Sequence, residues 1–270
     1  MIGGALKKTC PAAAMLLAAS SAALAQNGPD PLSTRPGWEL GVQASHYEYT
    51  TDPDAGKLSG LRGGLVGALT FTAESGWFGK LDARASYGRL KYEAPNAVSK
   101  VPDLILEGRA VAGLDWVGRS ASLSPYLGLG YRFLSDDLRG YNLANAGGFR
   151  RESNYIYAPV GITARLAMGG DWALAATAEG DVFLSGTQVS KLSDIDVGLT
   201  DVTNKQSKGR GYRASLMLES SRWAFGGWMQ YWHVNASDTL PSGSIGATPM
   251  TYTEPENTTR EYGVELRYRF

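Results

Sequence analysis

The chain has 270 residues, 26 basic against 26 acidic, and one cysteine, Cys10. That balance recommends no nucleic-acid partner, and a single cysteine excludes a disulfide framework within the chain. Past the first 25 residues no apolar stretch reaches the ~20 residues of a membrane helix, so a membrane role leaves a closed β-barrel, the other way to pair every backbone group in lipid.

The N-terminus reads as a secretory signal. Lys7 and Lys8 supply the charge, Pro11 to Ala25 the short apolar run, and Ala23-Leu24-Ala25 the small-x-small cleavage pattern. Cleavage of residues 1–25 predicts a mature start at Gln26 and leaves 24 basic residues against 26 acidic, a net charge of about −2. Cys10 lies ahead of the apolar run, so lipidation is not expected and the mature chain would hold no cysteine. Residues 26–36, with their Pro and Asn, read as a flexible leader.

Residues 37–270 read as one barrel domain, because apolar and polar positions alternate along it as in strands with one face to lipid and one to a lumen. The first outward rows are Trp38, Leu40, Val42 and Ala44, then Leu61, Leu65, Leu69 and Phe71, with Glu39, Gln43 and Arg62 among the inward residues. Trp77, Leu81, Ala83, Ala85 and Tyr87 oppose Lys80, Asp82, Arg84 and Ser86. Leu104, Leu106, Ala110, Ala112, Leu114 and Trp116 oppose Glu107, Arg109 and Asp115. Leu123, Leu127, Leu129, Tyr131 and Phe133 oppose Ser124, Tyr126, Gly128, Gly130 and Arg132. Ile156, Ala158, Val160, Ile162, Ala164 and Leu166 oppose Tyr155, Tyr157, Gly161, Thr163 and Arg165. Trp172, Leu174, Ala176, Ala178, Val182 and Leu184 oppose Thr177, Glu179 and Asp181, and Tyr212, Ala214, Leu216 and Leu218 oppose Arg213, Ser215 and Glu219. Trp223 to Val234 is aromatic on both faces; Phe225, Met229 and Tyr231 are placed outward and Gln230 inward.

The last strand is the clearest. Tyr262, Val264, Leu266, Tyr268 and Phe270 alternate with Glu261, Gly263, Glu265, Arg267 and Arg269 to the final position. On these residues the chain resembles the outer-membrane β-barrels of Gram-negative bacteria, in the small porin-like class, whose assembly signal has this form. The resemblance implies an outer-membrane location and recognition by periplasmic chaperones and the outer-membrane assembly machinery, with Tyr262, Val264, Leu266, Tyr268 and Phe270 as the signal.

The predicted fold is therefore all-β, a single antiparallel transmembrane barrel of ten strands, with eight or twelve as alternatives. Tight breaks at Ala73–Gly76, Gly118–Ser120, Met168–Asp171 and Ser220–Arg222 alternate with long ones near Thr51–Lys57, Ala94–Lys100, Ser135–Arg150, Gly186–Lys208 and Asn235–Thr258. This asymmetry puts the short turns in the periplasm and the long loops outside. Twelve strands would need hairpins hidden in the fourth and fifth outer loops.

The inward rows are dense in charge of both signs. Lys80, Asp82, Arg84, Glu107, Arg109, Asp115, Arg132, Arg165, Glu179, Asp181, Arg213, Glu261, Glu265 and Arg267 form the expected lumen network. A barrel of about ten strands lies near the size that side chains fill, and unpaired buried charge is costly, so a packed, mutually neutralised interior is expected. A narrow polar path for ions or small solutes is the competing reading.

Signals for chemistry are thin. An omptin-like protease would resemble a ten-stranded barrel with an acidic pair and an Asp–His pair at the outer rim. Asp136-Asp137 and His233 stand near strand ends, but Tyr231 occupies the place of the Asp two residues before the histidine. A lipid hydrolase needs Ser beside His, yet Ser45 and His46 point to opposite faces of a strand. Asp194, Asp196 and Asp201 lack the glycine and glutamate of a Ca²⁺ loop. The sequence thus predicts no cofactor, no metal and no catalytic residue. It points to a monomeric, porin-like or adhesin-like surface protein, with a membrane-embedded hydrolase or a selective channel as alternatives. Loop rings Tyr141, Phe149 and Tyr252 would contact an external ligand, whose nature is unknown, or fold back as a lid.

Overall fold

A computed structural model describes residues 30–51, 56–94, 97–139, 142–143 and 146–270. The expected signal, the leader up to residue 29 and Tyr141 lie outside the described residues. Ten long strands form the wall: β1 Gly37–Thr51, β2 Lys57–Thr72, β3 Trp77–Ala94, β4 Ala97–Leu114, β5 Ala121–Asp137, β6 Arg150–Gly169, β7 Trp172–Ser190, β8 Gly209–Glu219, β9 Trp223–Val234 and β10 Asn257–Arg269. Each pairs antiparallel with the next, and β10 closes onto β1 through pairs such as Val264↔Ala44 and Leu266↔Val42. Closure leaves no open edge, as lipid demands.

The alternation decides the faces. Outward Leu61, Leu65 and Leu127 are 75%, 65% and 66% exposed, while inward Arg62, Glu107 and Asp181 are buried. β9 takes the expected phase, with Gln230 inward and Met229 outward, and its Trp228 and Trp232 point into the lumen. The other five tryptophans, Trp38, Trp77, Trp116, Trp172 and Trp223, ring the periplasmic end, and Tyr87, Tyr131, Tyr212 and Tyr262 mark the outer end. Trp77 and Tyr87 are ten positions apart on β3. At ~3.3 Å per residue and a ~40° tilt that is about 25 Å of membrane, the usual apolar band.

The periplasmic turns are tight, closed by bonds such as Gly118 N–H to Ala121 O (2.8 Å) and by Gly169 and Gly170 at φ 101° and 62°. At the outer end every wall strand but β8, at 11 residues, outruns the ~9–11 residues needed to span, β6 by most at 20 residues. The fourth and fifth loops do hold extra strands, but off the barrel. Val202–Gln206 pairs with the projecting end of β7, and Thr239–Ile245 pairs with Thr248–Thr253 as a hairpin that bridges to the fourth loop at Leu199↔Gly243. A bulge between Phe183 and Ser185 resets the phase of β7, so that Gln188 and Ser190 turn inward above Asp181.

The leader differs from expectation. From Asp30 to Pro36 it lies across the periplasmic mouth: Leu32 is buried, its carbonyl accepts from Ser122 Oγ (2.5 Å), and Asp115 takes bonds from Thr34 N (2.7 Å) and Oγ1 (2.8 Å). Asp115 therefore leaves the lumen charge network and serves as the leader's clamp. Asp115→Ala should speed amide exchange at Leu32 and Thr34 without changing exchange in the wall; unchanged rates there would refute the clamp.

Candidate functional site: an occluded lumen

Three layers fill the barrel. The middle one is ionic, and its centre is Arg213 on β8, whose guanidinium meets Asp181 (2.9 Å), Glu179 (3.0 Å) and Glu107. Glu107 on β4 also pairs with Arg84 of β3 (2.8 Å), which reaches across to Glu261 of β10 (3.0 Å). Arg109 joins Asp82 (2.8 Å) to Glu179 (2.7 Å). Phenols complete the acceptors: Tyr157 Oη donates to Glu107 (2.6 Å) and Tyr126 Oη to Glu179 (2.7 Å). Toward the periplasm Arg165 meets Glu219 (3.3 Å) and Arg267 meets Glu265 (2.8 Å) and Glu39 (3.4 Å).

Thirteen of the fourteen predicted lumen charges thus lie in the interior, Asp115 being the exception. Two of them stand apart from the ion pairs. Lys80 lines a periplasmic cavity. Arg132, 1% exposed, lies 5.6 Å from the Trp232 ring, and none of its guanidinium nitrogens meets an acceptor among the described residues. Sequence reasoning left Asp103 out because it lies one position beyond the row it began at Leu104. In the fold its carboxylate holds Arg62, which covers the Tyr47 ring at 3.3 Å.

Outside the ionic belt the lumen is closed by an apolar layer. Tyr47, Tyr49, Leu58, Leu90, Ile105, Leu134, Tyr155, Phe183 and Trp232 form one buried cluster, with eight of the ten wall strands contributing. Trp232 packs edge-on to Tyr157 (5.0 Å) and stacks with Tyr155 (6.4 Å). Glycines make the space: a Cβ on Gly211 would meet Trp232 at 2.8 Å, and one on Gly130, the register partner of Tyr157, would meet that ring at 2.2 Å. The sequence placed Gly130, Tyr155 and Tyr157 inward, but alternation does not say that large and small residues will face one another.

Over this layer the outer loops pack together. Leu192, Leu199 and Val202 form a second core with Phe149, Leu240, Met250 and Tyr252, so Phe149 and Tyr252 fold back rather than project. Glu254 latches the fifth loop to the rim, accepting from Tyr252 Oη (2.9 Å) and pairing with Arg151 (3.6 Å), which also holds Asp136 (3.0 Å). Burial pushes the Glu254 carboxyl above its ordinary value, against the pull of Arg151.

The residues weighed for chemistry are apart. His46 lies against Tyr262 at 5.2 Å, and His233 Nδ1 meets Thr258 Oγ1 at 3.2 Å. Thr258 pairs with Thr50 of β1, so the two histidines are offset by four positions, about 13 Å along the strand. Asp137 is held by Arg139 (2.7 Å). Asp201 bonds Ser193 Oγ (2.6 Å), Asp194 takes Arg150 N (3.2 Å), and Asp196 takes Gly198 N (2.7 Å).

No protein-family model matches the chain, and no curated protein matches it in sequence. Among solved structures, outer membrane protease OmpT of Escherichia coli aligns with a TM-score of 0.60 at 10% identity, over 87% of this chain and 95% of that one. The fold is that of an outer-membrane β-barrel. The translocator domain of the autotransporter NalP from Neisseria meningitidis matches more loosely, with a TM-score of 0.40 at 14% identity over 88% and 90% of the two chains. In the present barrel the charged interior is capped from outside by an aromatic layer and a loop-built lid.

Proposed function

We propose that the chain is a surface-interaction, adhesin-like protein of the outer membrane, carried by a monomeric barrel that neither conducts nor catalyses. Export by the cleaved signal of residues 1–25 and insertion through the terminal row ending at Phe270 belong to the same reading. The observation that carries it is the sealed lumen. An apolar layer drawn from eight strands and a second core above it leave the outer loops as the part offered to the exterior. Val197, fully exposed, and Ile245 at the hairpin tip are apolar groups offered there.

Of the porin-like and surface roles, the seal supports the second. A hydrolase draws support from the likeness to a protease, but fold alone does not carry activity. The separation of His46 and His233 supports the non-enzymatic reading.

Two measurements test it. The refolded chain should be electrically silent in planar bilayers; steady ion-selective steps would overturn the non-conducting claim. Bacteria displaying the chain should attach to host-cell or matrix surfaces and lose attachment when residues 239–253 are replaced by a short Gly-Ser turn. Undiminished attachment by a correctly folded variant would sink the loop assignment.

A further inference from the structure

The fifth outer loop enters the barrel rim through one buried acid. Glu254 lies between the hairpin and β10, and its residue is 0% exposed. Its backbone closes the base of the loop on Ser237: Glu254 N donates to Ser237 Oγ at 2.9 Å, and Ser237 N to Glu254 O at 3.0 Å. The carboxyl therefore moves with the loop. The fourth loop moves with the fifth, because Thr200 N donates to Ser242 O (3.1 Å), Ser244 N donates to Gly198 O (3.0 Å), and Leu199, Leu240 and Tyr252 share a core.

In this closed position the Glu254 carboxyl is short of positive charge. The titratable groups that face it are Tyr49 of β1, Asp136 of β5, Arg151 of β6 and Tyr252 of its own loop. Tyr49 Oη donates to it at 3.3 Å and Tyr252 Oη at 2.9 Å, but a phenol brings no charge. Arg151 stands 3.6 Å away and gives its hydrogen bond to Asp136, at 3.0 Å. Among the described residues two carboxylates thus share one cation. Other cations are committed or distant. Arg62 is held by Asp103, the register partner of Asp136, and Lys191 by Asp201 at 3.1 Å. Arg150, next to Arg151, takes the opposite face of β6. Arg132 lies four positions below Asp136 on β5, about 13 Å along the strand. A carboxylate taken out of water with half a counter-charge is costly, and either a proton or a return to water relieves that cost.

We propose that the outer lid is proton-linked: it closes with a proton on Glu254 and opens with that carboxylate in water, so that acid holds the fourth and fifth loops shut and neutral surroundings loosen them. The direction follows from burial, which pushes the closed-state carboxyl above its ordinary value. Closing then takes up a proton. The gain to the closed state is complete below about 4.3, the usual glutamate value in water, and is lost as pH rises through the higher closed-state value. Neighbouring loop acids titrate below this window: Arg139 holds Asp137 under its ordinary value, and Ser193 holds Asp201 under its own. The inference concerns the loops given the surface role above but turns on their position, so either can fail without the other.

Spin labels test it. In the refolded full chain carrying Cys10→Ser, labels at Ile245→Cys on the hairpin and Arg89→Cys on the wall, both exposed, report the lid's position by pulsed electron resonance between about pH 4.5 and 8. One distance is expected at the acid end, with a second, longer population growing as pH rises. The open-to-closed ratio should climb by no more than about tenfold per pH unit, the slope of a single proton. Glu254→Gln cannot ionise but keeps both histidines and every other acid, and it should hold the closed distance throughout. A parent profile flat in pH, a lid that opens in acid, or the same pH dependence in Glu254→Gln would each overturn the proposal. Should Glu254→Gln not fold, Tyr49→Phe decides the matter. It removes a hydroxyl that steadies the ionised form, so the rise should run to higher pH and end at a larger open fraction, and an unchanged profile would count against the proton link.

Discussion

Arg213→Met should lower the unfolding free energy of the barrel by about 3–5 kcal/mol, the usual cost of breaking a buried pair from one side. Glu107 would keep Arg84, and Glu179 would keep Arg109, but among the described residues Asp181 has no other cation in contact. The loss is therefore concentrated on one carboxylate, 2% exposed and left without a partner. Adding Asp181→Leu should recover most of it, since replacing both members of a buried pair with apolar groups is often neutral or better. Urea titrations of the two single variants and the double variant in lipid vesicles give the cycle. If Arg213→Met costs less than about 1 kcal/mol, or if the double variant is as unstable as the sum of the singles, the ionic belt is not a coupled network.

Tyr155→Ala combined with Trp232→Ala should turn a silent barrel into a conducting one. The two rings stack across the lumen at 6.4 Å, and Trp232 is 1% exposed. Their removal takes out the two largest stacked rings of the apolar layer, between the polar belt and the loop lid. Truncating the tryptophan alone costs about 3–5 kcal/mol in a core that does not collapse, so the variant needs a check that it still folds. Planar-bilayer recordings should then show discrete steps, enlarged further when the 239–253 hairpin is also removed. Continued silence in a folded double variant would show that the lid or the ionic belt closes the path without the aromatic layer.

The two predictions rest on features of different legibility. Membership of the ionic belt could be read from the chain: Arg84, Glu107, Arg109, Glu179, Asp181, Arg213 and Glu261 stand on the polar side of a period-2 pattern, and period fixes the face. The pairing could not. Arg84 and Glu261 are 177 residues apart, Arg213 and Glu107 106, and they meet across the lumen rather than along a strand. Such pairs depend on strand tilt and stagger, which are properties of the closed cylinder. The aromatic seal was half visible. Tyr155 and Tyr157 were placed inward, but that they join Trp232, Leu58 and Ile105 at one height needs the register of several hairpins at once.

The leader shows the opposite case, a segment whose composition misled. Pro and Asn near its start favour an irregular path, and its path is irregular; yet Thr34 is tied to Asp115, 81 residues away. Composition reports a lack of regular local structure, whereas docking depends on what the barrel mouth offers.

The sequence by itself determined the membrane barrel and which side of each strand meets lipid, because alternation is local and lipid punishes a charge on the wrong face; it favoured ten strands over eight or twelve, and ring closure of β10 onto β1 settled the count. Only the tertiary structure decided that the lumen is sealed near its outer end, that the leader docks across the periplasmic mouth, and that the outer loops share a core. Each of these compares the heights of residues on different strands, and closure of the ring sets those heights.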